Sequence, residues 1–502
     1  MLNFPILSVT LFLPIIAAIV ILLIPRHQEQ PIRIIAAVAT LISLMLSIIV
    51  FFNYDQSLGG IQFIEKIIWT PDLGVSYALG VDGISIPMLV LTTLIGFSAV
   101  FASWKIKERV KEFFVLLLIL LTGVMGTFLT TDLFIFFLFY EVVVIPIYLM
   151  VIMWGSSKRV TKEYAGMKLT IYLLIGSAFL LIGIIMLFIQ SYLAFGTPTM
   201  DIFALANLPF GTTFQIVVFA LMAFGFGTLL SMFPFHAWSP DGYAGAPTAV
   251  SMIHAGVLKK IGGYGLIRIG IFILPVGAKV IAPIIAVLAI GNIIYAAFIC
   301  LSQKDLKYIV GYSSVSHMGY VLIGVAALNL ISLNGAIIMM FAHGVMAALF
   351  FALIGNLYEK SHTRNIDELG GLAHQMPKLA TGLMIAGLAS LGLPGLVNFV
   401  GEFTIFVGAF STFKVLTILA VSGIIFTAVY ILRTLGTVLF GPRKEEWDHL
   451  EDLQGVEMIP LLVLGAAIII GGILPFGLID LINSGVGSLI AQIGSMQMGG
   501  IL

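Results

Sequence analysis

Apolar runs of about 20 residues alternate with short polar connections almost from one end of the chain to the other. That length suits a helix crossing the hydrocarbon core of a bilayer, where every backbone N–H and C=O must find a partner within the segment. The runs lie near residues 5–25, 32–53, 83–104, 113–130, 132–154, 164–191, 212–232, 247–271, 278–300, 307–328, 331–356, 379–408, 415–440 and 457–482. Numbered in that order, they predict an all-α polytopic membrane protein with about fourteen spans. No polar stretch is long enough for a soluble domain, the longest lying near 54–76 and 357–378. The first run lacks a basic leading segment and a small-residue cleavage site, so it reads as a retained span and not as a signal peptide.

Lysine and arginine then orient the bundle. Of 24 such residues, sixteen fall in or beside the connections after odd-numbered spans, among them Lys105, Lys107, Arg109, Lys158, Arg159 and Lys307. The opposite face carries Lys66, Arg268, Lys279 and Lys414. By the positive-inside rule the first group faces the cytoplasm, which puts both termini on the non-cytoplasmic side.

Composition narrows the function. The chain is 60% hydrophobic and 10% charged, where a soluble domain carries about 25% charge. A formal net charge of zero gives no reason to expect nucleic acid as a partner; the bilayer is the expected surroundings. A single cysteine, Cys300, excludes a disulfide framework and a thiolate set for an iron–sulfur cluster or structural zinc. Redox chemistry is therefore expected only in partner chains.

A short set of titratable residues remains inside the spans: Glu141 in span five, Lys168 in span six, Lys259 and Lys260 in span eight, and Glu402 in span twelve. His254, His317 and His343 add groups in spans eight, ten and eleven. A charge at membrane depth costs roughly 2.5–3.5 kcal/mol or more, so such residues mark proton or ion paths by default. Carboxylate, buried amine and imidazole all exchange protons near neutral pH, whereas arginine does not. Each also has a structural reading. A buried acid or amine can be one half of a static ion pair, Lys168 is near enough to its span end to snorkel, and a membrane histidine often serves packing. Lys259 and Lys260 point about 100° apart on a helix, so one of the two is expected to be structural. Several acids, lysines and histidines together are hard to explain by packing alone.

Two spans carry breaks. Span seven runs into Ser-Met-Phe-Pro-Phe-His-Ala-Trp-Ser-Pro, with Pro234 and Pro240 around His236, and span twelve contains Gly-Leu-Pro-Gly at 392–395, before Glu402. Discontinuous helices at corresponding places in two halves point to a transport site. Pro146 is expected to loosen span five in the same way. Spans four to eight superpose on nine to thirteen as two five-helix units, and because five is odd the second must be inverted. The expected organisation is an N-terminal three-helix region (1–112), a first repeat (113–272), an inverted second repeat (273–440) and a C-terminal helix with tail (441–502).

Five segments carry a family resemblance: Phe-His-Ala-Trp-Ser-Pro-Asp-Gly-Tyr-Ala-Gly-Ala-Pro-Thr-Ala-Val-Ser-Met (235–252), Ala-Gly-Val-Leu-Lys-Lys-Ile-Gly-Gly-Tyr-Gly (255–265), Gln-Lys-Asp-Leu-Lys (303–307), Tyr-Ser-Ser-Val-Ser-His-Met-Gly (312–319) and Leu-Pro-Gly-Leu-Val-Asn-Phe-Val-Gly-Glu-Phe (393–403). They resemble the proton-pumping, antiporter-like membrane subunits of complex I, NADH–quinone oxidoreductase, over nearly the whole chain. Glu402 in place of a lysine, and the lack of room for a long lateral helix, favour the M-type member of that group, the homologue of mitochondrial subunit four. The resemblance implies proton translocation coupled to quinone reduction elsewhere in the assembly. It places the chain in a bacterial or archaeal-type plasma membrane beside other antiporter-like and small membrane chains. It implies no cofactor in this chain; flavin, iron–sulfur clusters and quinone belong to partner subunits.

By the same resemblance Glu141 couples to the neighbouring channel, Lys260 is the central lysine, and Glu402 is the exit glutamate. His317 and His343 join Lys260 to Glu402; Lys168 and Asp132 also match family positions. One departure stands out. The family's span-seven lysine falls seven residues before His236, at Leu229, so the usual ion pair with Glu141 is absent. Lys259, or failing that Lys168, is expected to serve as its partner. Three rival readings are a subunit of an Mrp-type cation/proton antiporter, a subunit of a related membrane-bound hydrogenase, and a non-pumping scaffold.

Overall fold

Twelve helices among the described residues are long and apolar enough to cross a membrane, by length and composition. They occur in a computed structural model that describes residues 4–156 and 159–498; Lys158 lies outside the described residues. The twelve coincide with spans one to seven, nine to eleven, thirteen and fourteen. The expected count of about fourteen is not reproduced, because hydropathy runs are blind to helix interruptions. Residues 248–273 are helical throughout but widen twice into π turns, at His254–Leu258 and Leu266–Ile271. Span twelve is two helices, Pro377–Ser390 and Val397–Thr412, joined by an irregular link. Past span fourteen (Gly455–Ile473) the chain breaks at Leu474, which Pro475 disfavours as a helical residue, and Phe476–Met498 forms a further helix.

The polar connection at 54–76 holds the one sheet among the described residues. Gln62–Thr70 and Val75–Val81 pair antiparallel, with Gly74 in the left-handed conformation at the turn. Span five runs unbroken from Leu133 to Trp154 with Pro146 inside it, contrary to the expected loosening.

Spans five and ten start alike. The Asp132 carboxylate caps span five by accepting from Phe134 N (3.0 Å) and Ile135 N (3.1 Å). Asp305 caps span ten in the same manner through Lys307 N (2.8 Å) and Tyr308 N (3.4 Å). Leu133 N donates to Met200 O and Ile202 N to Thr131 O; Leu306 N donates to Arg364 O and Ile366 N to Lys304 O. In both places, then, the start of the span is stitched in one register to the chain that follows the next span.

Spans ten and eleven form the centre: 94% and 100% of their apolar windows are buried, against 33–44% for spans one, six, thirteen and fourteen. The outer spans present isoleucine, leucine and phenylalanine outward, to lipid or neighbouring chains. At the centre Gly256 and Gly344 face each other, and a Cβ on Gly344 would stand 2.6 Å from Gly256 O. That close backbone approach draws span eight against span eleven.

Candidate functional site

Span eight meets span eleven through Lys260. Its Nζ donates to Ala255 O, a carbonyl of the first π turn, and lies 2.8 Å from Nδ1 of His343. When Lys260 is an ammonium it can only donate, so Nδ1 then accepts and the His343 proton sits on Nε2, which has no protein partner among the described residues. The His343 ring is 5.4 Å from that of His317, centroid to centroid, and Nε2 of His317 is 3.7 Å from Oε1 of Glu402. All four side chains are buried. They form a line across spans eight, eleven, ten and twelve, four helices spread over some 140 residues of sequence.

The line ends on the break in span twelve. His317 Nε2 is 3.0 Å from Ser390 O, a carbonyl left without a helical partner where Pro377–Ser390 stops. Its Nδ1 is 2.7 Å from Ser313 O and 3.3 Å from Ser313 Oγ. Carbonyl oxygens only accept, so the doubly protonated ring is satisfied by the two backbone oxygens. In the neutral ring one nitrogen lone pair faces a carbonyl oxygen, Ser313 O at 2.7 Å or Ser390 O at 3.0 Å, and only the Ser313 hydroxyl at 3.3 Å offers that nitrogen a donor on the Nδ1 side. Tyr430 Oη donates to Ser313 Oγ at 2.8 Å and keeps that hydroxyl in place. Gly392, with φ of 71°, completes the break: a Cβ there would overlap Oε2 of Glu402. The left-handed turn thus both ends the helix and makes room for the carboxylate.

The break in span seven is held by a different device. The helix Thr212–Leu230 stops at Ser231, in the left-handed conformation, and resumes at Trp238. Asn292 spans the gap, accepting from Phe233 N (2.5 Å) and donating to Ser231 O (2.9 Å) and Val315 O (3.1 Å). His236 lies inside the break, stacked on Phe233 at 5.7 Å. His254 is stacked on Trp238 at 5.1 Å with both ring nitrogens buried and unpartnered. Lys259 is buried over the Tyr243 ring (5.1 Å) and donates to Ser314 Oγ at 3.3 Å.

Neither proposed partner reaches Glu141. Lys168 pairs instead with Asp241 at 2.7 Å, and Lys259 engages Tyr243 and Ser314. Oε1 of Glu141 is buried without a hydrogen bond, and among the described residues no cation lies within salt-bridge distance of it. Leu229, at the position of the family's lysine, is fully buried. The expectation that Lys259 or Lys168 replaces the missing cation therefore fails for this conformation.

Sequence reasoning passed over Asp241, although it stood inside the segment 235–252. Its second oxygen accepts from Tyr308 Oη at 2.8 Å, so it joins span six, the helix after the first break, and span ten. A carboxylate following Ser-Pro within an apolar sequence was the available signal. Arg268, read as near a span end, is buried in an ion pair with Asp82, whose other oxygen accepts from Ile84 N and Ser85 N (3.0 Å each). A cavity of about 500 Å³ opens beside that pair. No group of three or more His, Cys, Asp or Glu among the described residues is arranged to hold a metal.

Residues 130–427 match the family described as NADH:quinone oxidoreductase/Mrp antiporter, transmembrane. Chain 4 of an NAD(P)H-quinone oxidoreductase from Microcystis aeruginosa is 38% identical over 447 residues, covering 88% of this chain and 80% of that one. NADH-quinone oxidoreductase subunit M from Rickettsia conorii is 35% identical over 98% of this chain and 100% of its own length. A chain of respiratory complex I from Thermus thermophilus superposes with a TM-score of 0.87 at 27% identity, over 97% of this chain and 99% of that one. An Mrp complex from Dietzia shares the fold alone, at 21% identity and a TM-score of 0.81 over 98% and 97% of the two chains. Two broken helices and a buried line of lysine, histidine and glutamate thus accompany an extended sequence match, and the chain belongs to the NADH:quinone oxidoreductase/Mrp antiporter membrane family.

Proposed function

We propose that this chain is a proton-translocating membrane subunit of a complex I-type respiratory oxidoreductase, a translocase with no cofactor of its own. Its basic end faces the cytoplasm of a bacterial or archaeal-type cell, and neighbouring membrane chains of the same assembly flank it. The observation that carries the reading is the line Lys260–His343–His317–Glu402, in which each group is in contact with the next or nearly so.

Protonated Lys260 donates to His343 Nδ1. Uptake of that proton makes His343 cationic, and its Nε2–H becomes the proton offered towards His317. His317 passes its own proton to Glu402 at the break, where the chain's irregular link opens the helix towards the far face. Charge shifts imposed by electron transfer in partner chains would drive each step by changing which protonation state is favoured. Moving one proton against 100 mV costs about 2.3 kcal/mol, so the path must not conduct when idle. His343 Nε2 has no hydrogen-bond partner among the described residues, and that missing link is such an interruption.

The test is proton pumping in vesicles carrying the assembled complex. Lys260→Met and Glu402→Gln should each abolish pumping while the complex still assembles; pumping at the parental rate in either would refute the reading. A quinone-reducing arm that co-purifies with the chain would set it apart from a stand-alone antiporter.

A further inference from the structure

The segment Gln-Lys-Asp-Leu-Lys ends in a lysine that the line above does not use. Lys307 is buried (4% exposed) at the basic end of span ten. It borders a cavity of about 340 Å³ that also meets the charged side chains of Lys107, Glu108, Lys162 and Glu359. The nearest carboxylate in sequence, Asp305, is taken up by its helix cap and by Arg364 Nε at 3.2 Å. Arg364 is in turn satisfied by Ala244 O at 3.0 Å. Among the described residues no acid lies within salt-bridge distance of Lys307 Nζ. Its partners are neutral: Ala246 O at 2.7 Å and Ser251 Oγ at 3.4 Å.

Those partners lead inward. Ala246 closes the helix that follows the break in span seven, and Ser251 lies in the first turn of span eight, which starts at Thr248. His254 lies one turn further along the same helix, about 5 Å of rise and a distance one water can bridge. Both of its ring nitrogens are buried, with no hydrogen-bond partner among the described residues. One more turn brings the chain to Leu258, next to Lys259 and Lys260. Ser251, His254 and Lys259 lie on one stripe of span eight, and the π turn at 254–258 directs the stripe into the bundle.

We propose that Lys307 is the proton-intake residue of this subunit, loading from water in the cavity at the basic end and delivering through Ser251 and His254 to the Lys259–Lys260 pair. The inference rests on the proton-translocation reading above and adds its point of entry. In the step, neutral Lys307 amine takes a proton from hydronium delivered through the cavity water, leaving neutral water behind. The Ser251 hydroxyl, which donates to Tyr243 O at 2.9 Å, turns from that carbonyl to pass its proton towards His254 as Lys307 donates an N–H proton to the oxygen, so one proton enters and one moves on. An ammonium that is buried, uncountered and in contact with a hydroxyl can complete such a cycle, and a guanidinium cannot, since it keeps its proton.

The experiment uses the complete complex in inside-out vesicles, comparing Lys307→Met, Lys307→Arg and Lys307→His with the parent. Electron transfer and dye-reported proton uptake are measured on the same preparation. Methionine and arginine should each lower protons pumped per electron at least about fivefold, and histidine should restore a substantial part with an altered pH profile. Full pumping in the arginine variant would overturn the proposal, because a static cation fixing Ala246 and Ser251 would then suffice. Should the Lys307 variants assemble poorly, Ser251→Ala carries the test: it should slow pumping and leave assembly intact, and an unchanged rate would overturn the route. Lys260→Met separates the two claims. If it blocks pumping while all Lys307 and Ser251 variants pump normally, the intake assignment alone falls; if it also pumps normally, the underlying function falls with it.

Discussion

Gly392→Ala tests the link between the break in span twelve and Glu402. The position has φ of 71°, where an L-residue with a Cβ costs roughly 1–2 kcal/mol, and the new methyl would overlap Glu402 Oε2. The carboxylate must yield by about an ångström, taking Oε1 from 3.7 Å to about 5 Å from His317 Nε2. With His317 protonated and an effective dielectric constant of about 20, the attraction is about 4.5 kcal/mol at the shorter distance and about 3.3 kcal/mol at the longer. The loss of about 1.2 kcal/mol corresponds to about a sevenfold weaker hand-over of the proton. Gly395→Ala is the control: it sits in the same break at φ of 94°, with open space where its Cβ would go. It carries the backbone strain without touching the carboxylate. Pumping per electron, read by dye quenching beside quinone-linked oxidation, should fall about fivefold to tenfold for Gly392→Ala and stay near parental for Gly395→Ala. Equal effects of the two substitutions would refute the reasoning, since strain alone would then account for both.

Further expectations follow from the same geometry. Arg268→Met leaves Asp82 buried and unpaired, and should destabilise the chain by about 3–5 kcal/mol, seen as a lower melting temperature of the detergent-solubilised complex. Asp132→Ala and Asp305→Ala remove like caps from spans five and ten and should each cost about 0.5–2 kcal/mol in the same assay; loss from one alone would deny the caps an equivalent role. Gly344→Leu should separate spans eight and eleven, breaking the Lys260–His343 contact and lowering pumping more than electron transfer. At the basic end, the hydrogen bond from Arg443 holds the Asp448 carboxyl below its ordinary value. A depressed acid stabilises above its unfolded pKa, so this loop contact should be complete above about pH 4 and lost as pH falls further, with limited proteolysis at 440–450 as the readout.

Much of the site was legible as a list. Glu141, Lys260 and Glu402 stood out because charge inside an apolar run is costly wherever the chain goes. The breaks stood out because Pro234 and the Gly-Leu-Pro-Gly segment cannot continue a helix. Which groups meet was not legible. Lys260 and His343 are 83 positions apart and meet because two glycines let their helices touch, a fact that hydropathy does not carry. The same blindness hid Asp241 behind Lys168, and left Lys259 and Lys168 as plausible partners for a glutamate that neither reaches.

The sequence by itself determined that the chain lives in a bilayer, crosses it many times, turns its basic connections to one end and keeps proton-exchanging groups at depth. Each of these follows from transfer energetics, which act residue by residue and need no knowledge of neighbours. The tertiary structure alone decided the order of the line, the contacts of His317 with Ser313 and Ser390, and the lack of a cation beside Glu141 among the described residues. These are matters of ångströms between helices distant in sequence, and hydrogen bonding and Coulomb attraction depend on those distances while hydrophobic patterning does not.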